Sequence, residues 1–188
     1  MNKYLGIFKN WFGYAAIVSM LCGIIYIVAQ QNFRMSANDV PYQLAQEAAS
    51  RVNKISEPKQ FPNTSAPVEI AESPAPWLLI CDANGNALNN GALLDGKTPR
   101  LPQGVFDKAK KDGVNMVTWQ PRPGVRQATV MVHTTVGYTV VAGQSLTITE
   151  DHISMLGAQV IFGWMLSLVA MLVVVTVQEM MTRKFGLD

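Results

Sequence analysis

The sequence predicts an α+β domain, an antiparallel sheet with a helix N-terminal to it, set between two transmembrane helices. Apolar residues make up 49 % of the 188 residues and charged ones only 15 %, well below the usual quarter. Two long stretches carry no charge at all. Between them the pattern changes to short apolar runs broken by Gly, Asn and Pro, as strands and turns require.

The uncharged stretches run from Trp11 to Ala29 and from Ile153 to Val177. About 20 apolar residues cross a hydrocarbon core of about 30 Å. Lipid offers no partner to an open backbone group, so both are expected to be helices. Trp11, Tyr14 and Tyr26 suit the interfacial belts. A cleaved leader is the alternative for the first stretch. Its apolar part exceeds the roughly 7–15 residues of a leader core, and no Ala-x-Ala site follows it. Lys3 and Lys9 precede the first span, and Arg183 and Lys184 follow the second. Short basic flanks stay inside, so both are expected in the cytoplasm with the middle of the chain outside. The expected organisation is residues 1–10 as a cytoplasmic tail, 11–29 as a membrane helix, 30–152 as an external domain, 153–177 as a second membrane helix and 178–188 as a second cytoplasmic tail.

In the external segment, Asn38 or Asp39 can cap a helix with Pro41 in its first turn. Leu44, Ala45, Ala48, Val52 and Ile55 then recur at helical spacing opposite Gln43, Gln46, Glu47, Ser50, Arg51 and Lys54. Pro58, Pro62, Pro67, Pro74 and Pro76 follow, which predicts an extended connector.

Trp77–Asp82 reads as an apolar strand, and Asp82-Ala83-Asn84-Gly85-Asn86 as a turn in which Gly85 supplies positive φ. Ala87-Leu88 reads as a short return strand. Leu101–Gly113 predicts a short helix with Val105, Phe106 and Ala109 inward. Val114–Trp119, Val125–Thr134 and Tyr138–Gly143 are three further strands, and their short connections favour antiparallel neighbours. Helices on one side of such a sheet complete the expected architecture.

The residues that could do chemistry are few. A net charge of +2 without a clustered basic face gives no case for nucleic acid as a partner and leaves the lipid bilayer as the first one. Cys22 lies in the first span and Cys81 outside it, so no disulfide joins them; Cys81, after Trp77-Leu78-Leu79-Ile80, reads as a small buried apolar residue. The Asp82 turn is not a calcium loop, because Gly falls at the fourth position and Leu93 at the twelfth. His133 and His152 have no second ligand at zinc spacing. Glu150, Asp151 and His152, being consecutive, form a solvated collar above the membrane. No nucleophile elbow, phosphate loop or dinucleotide loop occurs, so no enzyme, metal or cofactor is expected.

A small-molecule site remains open on the sheet. Ala128, Val130 and Val132 share one face of the long strand, with Arg126 near its end, and Thr129, Met131 and His133 share the other. Arg126 would anchor an anion, Trp119 or Tyr138 would supply an aromatic wall, and His133 completes the candidate set. In the spans, Ala15, Ser19 and Gly23 form a small-residue stripe, and Gly163 and Ser167 repeat the spacing. Such stripes let helix backbones approach closely in lipid, which predicts a seam within an oligomer or against a membrane partner.

WLLICDANGNAL, GVFDKAKKDGVNMVTW, VRQATVMV and VVAGQSLTITEDHISMLG resemble, in their order, the extracytoplasmic PAS-like (Cache-type) sensor domains of bacterial membrane histidine kinases. The likeness covers about Gln30 to Gly157 by architecture and two short motifs by residue. Asp82 and Gly85 match a strand ending in D-x-x-G. Gly143, Gln144, Ser145 and Leu146 match the final strand that leads into the second membrane helix. The resemblance implies a bacterial inner-membrane sensor whose ligand sits against the sheet, although the family's amino-acid-binding pattern is not present. It departs from those receptors after Val177, where no kinase or other output domain follows. A separate partner protein is therefore expected to carry the output. The alternative is a structural or assembly subunit of an envelope complex.

Overall fold

The computed structural model describes residues 2–54 and 66–184. Contacts divide it into two compact units, Met1–Asn32 with Asp151–Asp188, and Phe33–Glu150.

The first unit consists of most of two long helices, α1 (Asn2–Ser36) and α4 (Thr147–Lys184). Both are long and apolar enough to cross a membrane, and their apolar windows are almost entirely open to the surroundings. Within this unit the helices meet antiparallel. Trp11 Nε1 donates to the Leu168 carbonyl over 3.1 Å, and Trp164 Nε1 donates to Ser19 Oγ over 2.8 Å. Farther along, the Tyr26 ring lies against Gly157.

The second unit is α+β. Its main sheet has four antiparallel strands in the order β2 (Trp77–Cys81), β6 (Thr139–Ser145), β5 (Val125–His133) and β4 (Val114–Arg122). A second, two-stranded sheet pairs β1 (Val68–Glu69) parallel with β3 (Ala92–Leu93). Helix α2 (Asp39–Val52) follows α1 after a short turn, and α3 (Gln103–Asp112) leads into β4 through Gly113 at φ 81°.

The two helices lie on opposite faces of the main sheet, which corrects the expectation of helices on one side. Ala45, Ala49 and Val52 of α2 pack with Ile80, Val130, Val132, Val140 and Ala142. Phe106 and Ala109 of α3 pack on the reverse face with Trp77, Leu79, Cys81, Trp119, Met131 and Val141. The physical reason is in the strands. Trp77–Cys81 and Val140–Ala142 are apolar at consecutive rather than alternate positions, so both faces must be covered.

Three further expectations change. The Ala87-Leu88 return is one bridge, Cys81 to Ala87, and the full partner of β2 is β6. Pro121 lies inside β4 at an irregularity between Trp119 and Arg122, which an edge strand tolerates. The connector holds β1, and Gln127 Nε2 donates to Ile70 O over 2.9 Å, tying it beneath the sheet. Ile55, Pro58 and Pro62 lie outside the described residues.

Candidate functional site

The turn after β2 is built around one carboxylate. Asp82 Oδ1 accepts from the backbone N–H groups of Asn84 and Asn86, each over 2.8 Å, and Oδ2 accepts from Asn86 Nδ2. The Asn86 side chain, then the backbone donors, hold the Asp82 carboxyl below the usual carboxylate range. Gly85 adopts φ 80°, and a Cβ there would approach Phe106 Cε2 to 3.1 Å. The geometry is a self-satisfied turn, and Asp82 is spent on it.

The stretch after the turn seals the outer edge of β2. Leu88 N donates to Ile80 O over 2.7 Å. Asn89 stands in for a neighbouring strand, its Oδ1 accepting from Ile80 N and its Nδ2 donating to Leu78 O. Cys81 is buried here, and burial pushes its thiol up to about 12, so it is inert.

The four residues read as a ligand set do not converge. Trp119 is 9 % exposed and its ring stands edge-on to Trp77 at 6.3 Å, inside the α3-side core. Tyr138 packs against the α2-side cluster. His133 is half-buried, with Nδ1 3.1 Å from Thr139 Oγ1. Arg126 is exposed at the opposite end of β5, seven residues or about 23 Å away along the strand. Trp119 faces Gln127 across the ladder and so lies near the Arg126 end, but its side chain is on the other face. Arg126 and Trp119 thus sit at one end of β5, and His133 and Tyr138 at the other.

Arg126 has a different role from the one its sequence position suggested. It forms an ion pair with Glu150, in the first turn of α4. Leu146 N donates to Arg126 O over 2.9 Å, and Glu150 N donates to Leu146 O over 2.8 Å. One residue is therefore both the last rung of the β5–β6 ladder and the first acceptor of the helix. No loop separates sheet from helix. Ser145 Oγ accepts from Thr147 N at the same junction. The sequence marked Glu150 only as part of a charged collar; its spacing of 24 residues from Arg126 carries no local signal.

A second carboxylate holds the small sheet in place. Glu69 Oε1 and Oε2 accept from the N–H groups of Asp95 and Gly96 over 3.0 and 3.1 Å, and Arg122 reaches Asp95 over 3.1 Å. The Gly96 N–H is the main cause holding the Glu69 carboxyl low. Gln127, 1 % exposed, accepts from Trp77 Nε1 over 3.0 Å, so both ends of its amide are engaged, one by that indole and the other by Ile70 O.

In the helical unit, Ser19 accepts from Trp164 and donates to Ala15 O over 2.8 Å, and Ala15 is buried. A Cβ at Gly23 or Gly163 would meet nothing within 4 Å. Ser167 donates to Gly163 O inside its own helix. Trp11 and Trp164, not singled out for packing from the sequence, make the cross-helix hydrogen bonds. Among the described residues no group of three His, Cys, Asp or Glu is placed to hold a metal ion. No protein-family model, no curated protein and no solved structure matches the chain.

Proposed function

We infer that this chain is a two-span membrane protein whose α+β unit lies outside the bacterial cytoplasmic membrane as a sensor or ligand-binding module. In this reading its state passes through α4 to a separate partner protein. The observation that carries the inference is Leu146, which joins the β5–β6 ladder to α4 with no loop between them. A displacement of β5 or β6 must move the start of α4, because rigid elements sharing a hydrogen-bonded residue cannot slip independently. Arg126 supports an anionic ligand. It is solvent-reachable and paired with Glu150 of α4, so an incoming carboxylate or phosphate would compete for the guanidinium and release the helix start.

The second reading, an assembly or structural subunit, is favoured by a different observation. Both faces of the main sheet are closed by the domain's own helices, which directs recognition to outer surfaces. Thermal denaturation of the detergent-solubilised full chain against a panel of small carboxylates and phosphate esters separates the two. A ligand that binds the folded state raises the midpoint by mass action. The sensor reading expects at least one such compound, with its effect lost in Arg126→Gln. No shift across the panel, together with capture of an envelope protein by crosslinking, supports the assembly reading. The topology is tested separately: Leu88→Cys should react with a membrane-impermeant maleimide in intact cells, and Lys9→Cys only after permeabilisation. Reaction of both in intact cells overturns the arrangement.

A further inference from the structure

The two edges of the main sheet are treated differently. On β2 the outer edge is closed by Leu88 and the Asn89 side chain. On β4 the outer edge receives no backbone hydrogen bond from any described residue. His133 N donates to Gly113 O, which marks that opposed pair as hydrogen-bonded. Bonded and non-bonded pairs alternate in an antiparallel ladder. Asn115, Val117 and Trp119 therefore turn their backbone groups toward β5, whereas Val114, Met116 and Thr118 turn theirs outward. In the regular part of the strand, up to Trp119, these are the three residues whose side chains lie on the α2 face, and Met116 is 51 % exposed there.

An open edge of this kind is a template for another strand, and folded proteins ordinarily blunt it with charge, proline or a bulge. From Val114 to Trp119 there is none of these; Pro121 and the irregularity guard only the far end. We propose that the β4 edge is an interface with the β4 edge of a second copy, antiparallel and centred on Val117. Two four-stranded sheets become one. In this register Met116 of each copy lies opposite Thr118 of the other, outward-facing backbone against outward-facing backbone.

Charge selects the occupant, and Val117, the midpoint of the uncharged stretch, sets the register. The segment from Gly113 to Pro121 is uncharged, so two copies pair without like charges opposed. Asp112, exposed and in no ion pair among the described residues, closes α3 just before the strand, so an antiparallel second copy brings the end that carries Arg122, itself beside Asp95, toward it, twice by symmetry. The inference rests on the strand edge and is independent of the sensing role.

The test uses the full chain with Cys22→Ala; Cys81 is buried. Val117 would face itself as a non-bonded pair with Cα atoms about 4.5 Å apart, within disulfide reach. Thr118 would be diagonal to itself at about 7–8 Å, too far for a disulfide. Mild oxidation of Val117→Cys should give a covalent dimer, and Thr118→Cys should not. Adding Met116→Pro removes only an outward N–H, a change that edge strands tolerate. It should abolish the Val117→Cys dimer while the melting midpoint stays near that of the parent. Equal crosslinking at both positions, a dimer that survives Met116→Pro, or a monomeric parent in light scattering would each overturn the proposal.

Discussion

Gly143→Ala probes the packing under the last strand most directly. Gly143 faces Trp77 across the β2–β6 ladder, and the Trp77 indole lies over it. A Cβ at Gly143 would fall 2.2 Å from Trp77 Cζ2 and 2.4 Å from Cε2. Ordinary carbon contact needs roughly 3.5 Å, so the ring must move by more than about 1 Å. It has little room, because Trp77 is 2 % exposed and packed by Trp119. Its Nε1 also donates to Gln127 Oε1 over 3.0 Å, a bond the shift would break. Overpacking of this kind costs about 1–3 kcal/mol, and leaving the buried Gln127 oxygen unpaired adds about 1 kcal/mol. The sum, about 2–4 kcal/mol, corresponds to a fall in the melting midpoint of about 8–16 °C at roughly 4 °C per kcal/mol. Alkylation of Cys81 on heating, in a Cys22→Ala chain, reads this domain rather than the long helices, because Cys81 belongs to the same cluster as Trp77. In a Trp77→Phe background, which removes the colliding ring, the cost of Gly143→Ala should shrink. A midpoint within about 2 °C of the parent, or an undiminished cost beside Phe, would refute the reasoning.

Gly85→Val should destabilise the same domain by about 1–3 kcal/mol, since it puts a branched side chain at positive φ, and the Phe106 ring leaves no slack; an unchanged midpoint would count against the turn. Asp82 and Glu69 titrate below their ordinary range in the fold, so their stabilisation is complete above the unfolded pKa and is lost as pH falls through the folded one. The midpoint should stay level to about pH 5 and decline below about pH 4, less steeply in Glu69→Gln; stability that rises on acidification would contradict this. In the helical unit, Trp164→Phe and Ser19→Ala should each weaken the α1–α4 contact by about 0.6–1.7 kcal/mol, measured by unfolding in a detergent titration. The double variant should lose no more than either single one, and additive losses would show that the pair does not share one bond.

Much of the architecture is legible because it depends on periodicity and exclusion. The uncharged runs from Trp11 and Ile153 predict helices by their length and composition, and Leu44, Ala45, Ala48 and Val52 mark the buried side of α2 before any neighbour is known. Asp82 and Gly85 announce their turn because its hydrogen bonds close within five residues. Local bonds leave local signatures. What only the tertiary structure decided is pairing across distance. That α2 and α3 take opposite faces follows from consecutive apolar positions in β2 and β6, but which helix takes which face depends on chain path. Asn89 as a surrogate strand, Glu150 beside Arg126, Trp164 on Ser19 and Trp77 over Gly143 join residues from 9 to 145 positions apart. No spacing rule links such pairs, because their geometry is created by the fold that brings them together. For the same reason, residue type and strand alternation nominate Trp119, Arg126, His133 and Tyr138 as a ligand set without showing whether they meet. The sheet places its members on different faces and at opposite ends, since position along a strand and side of a sheet fix what can meet.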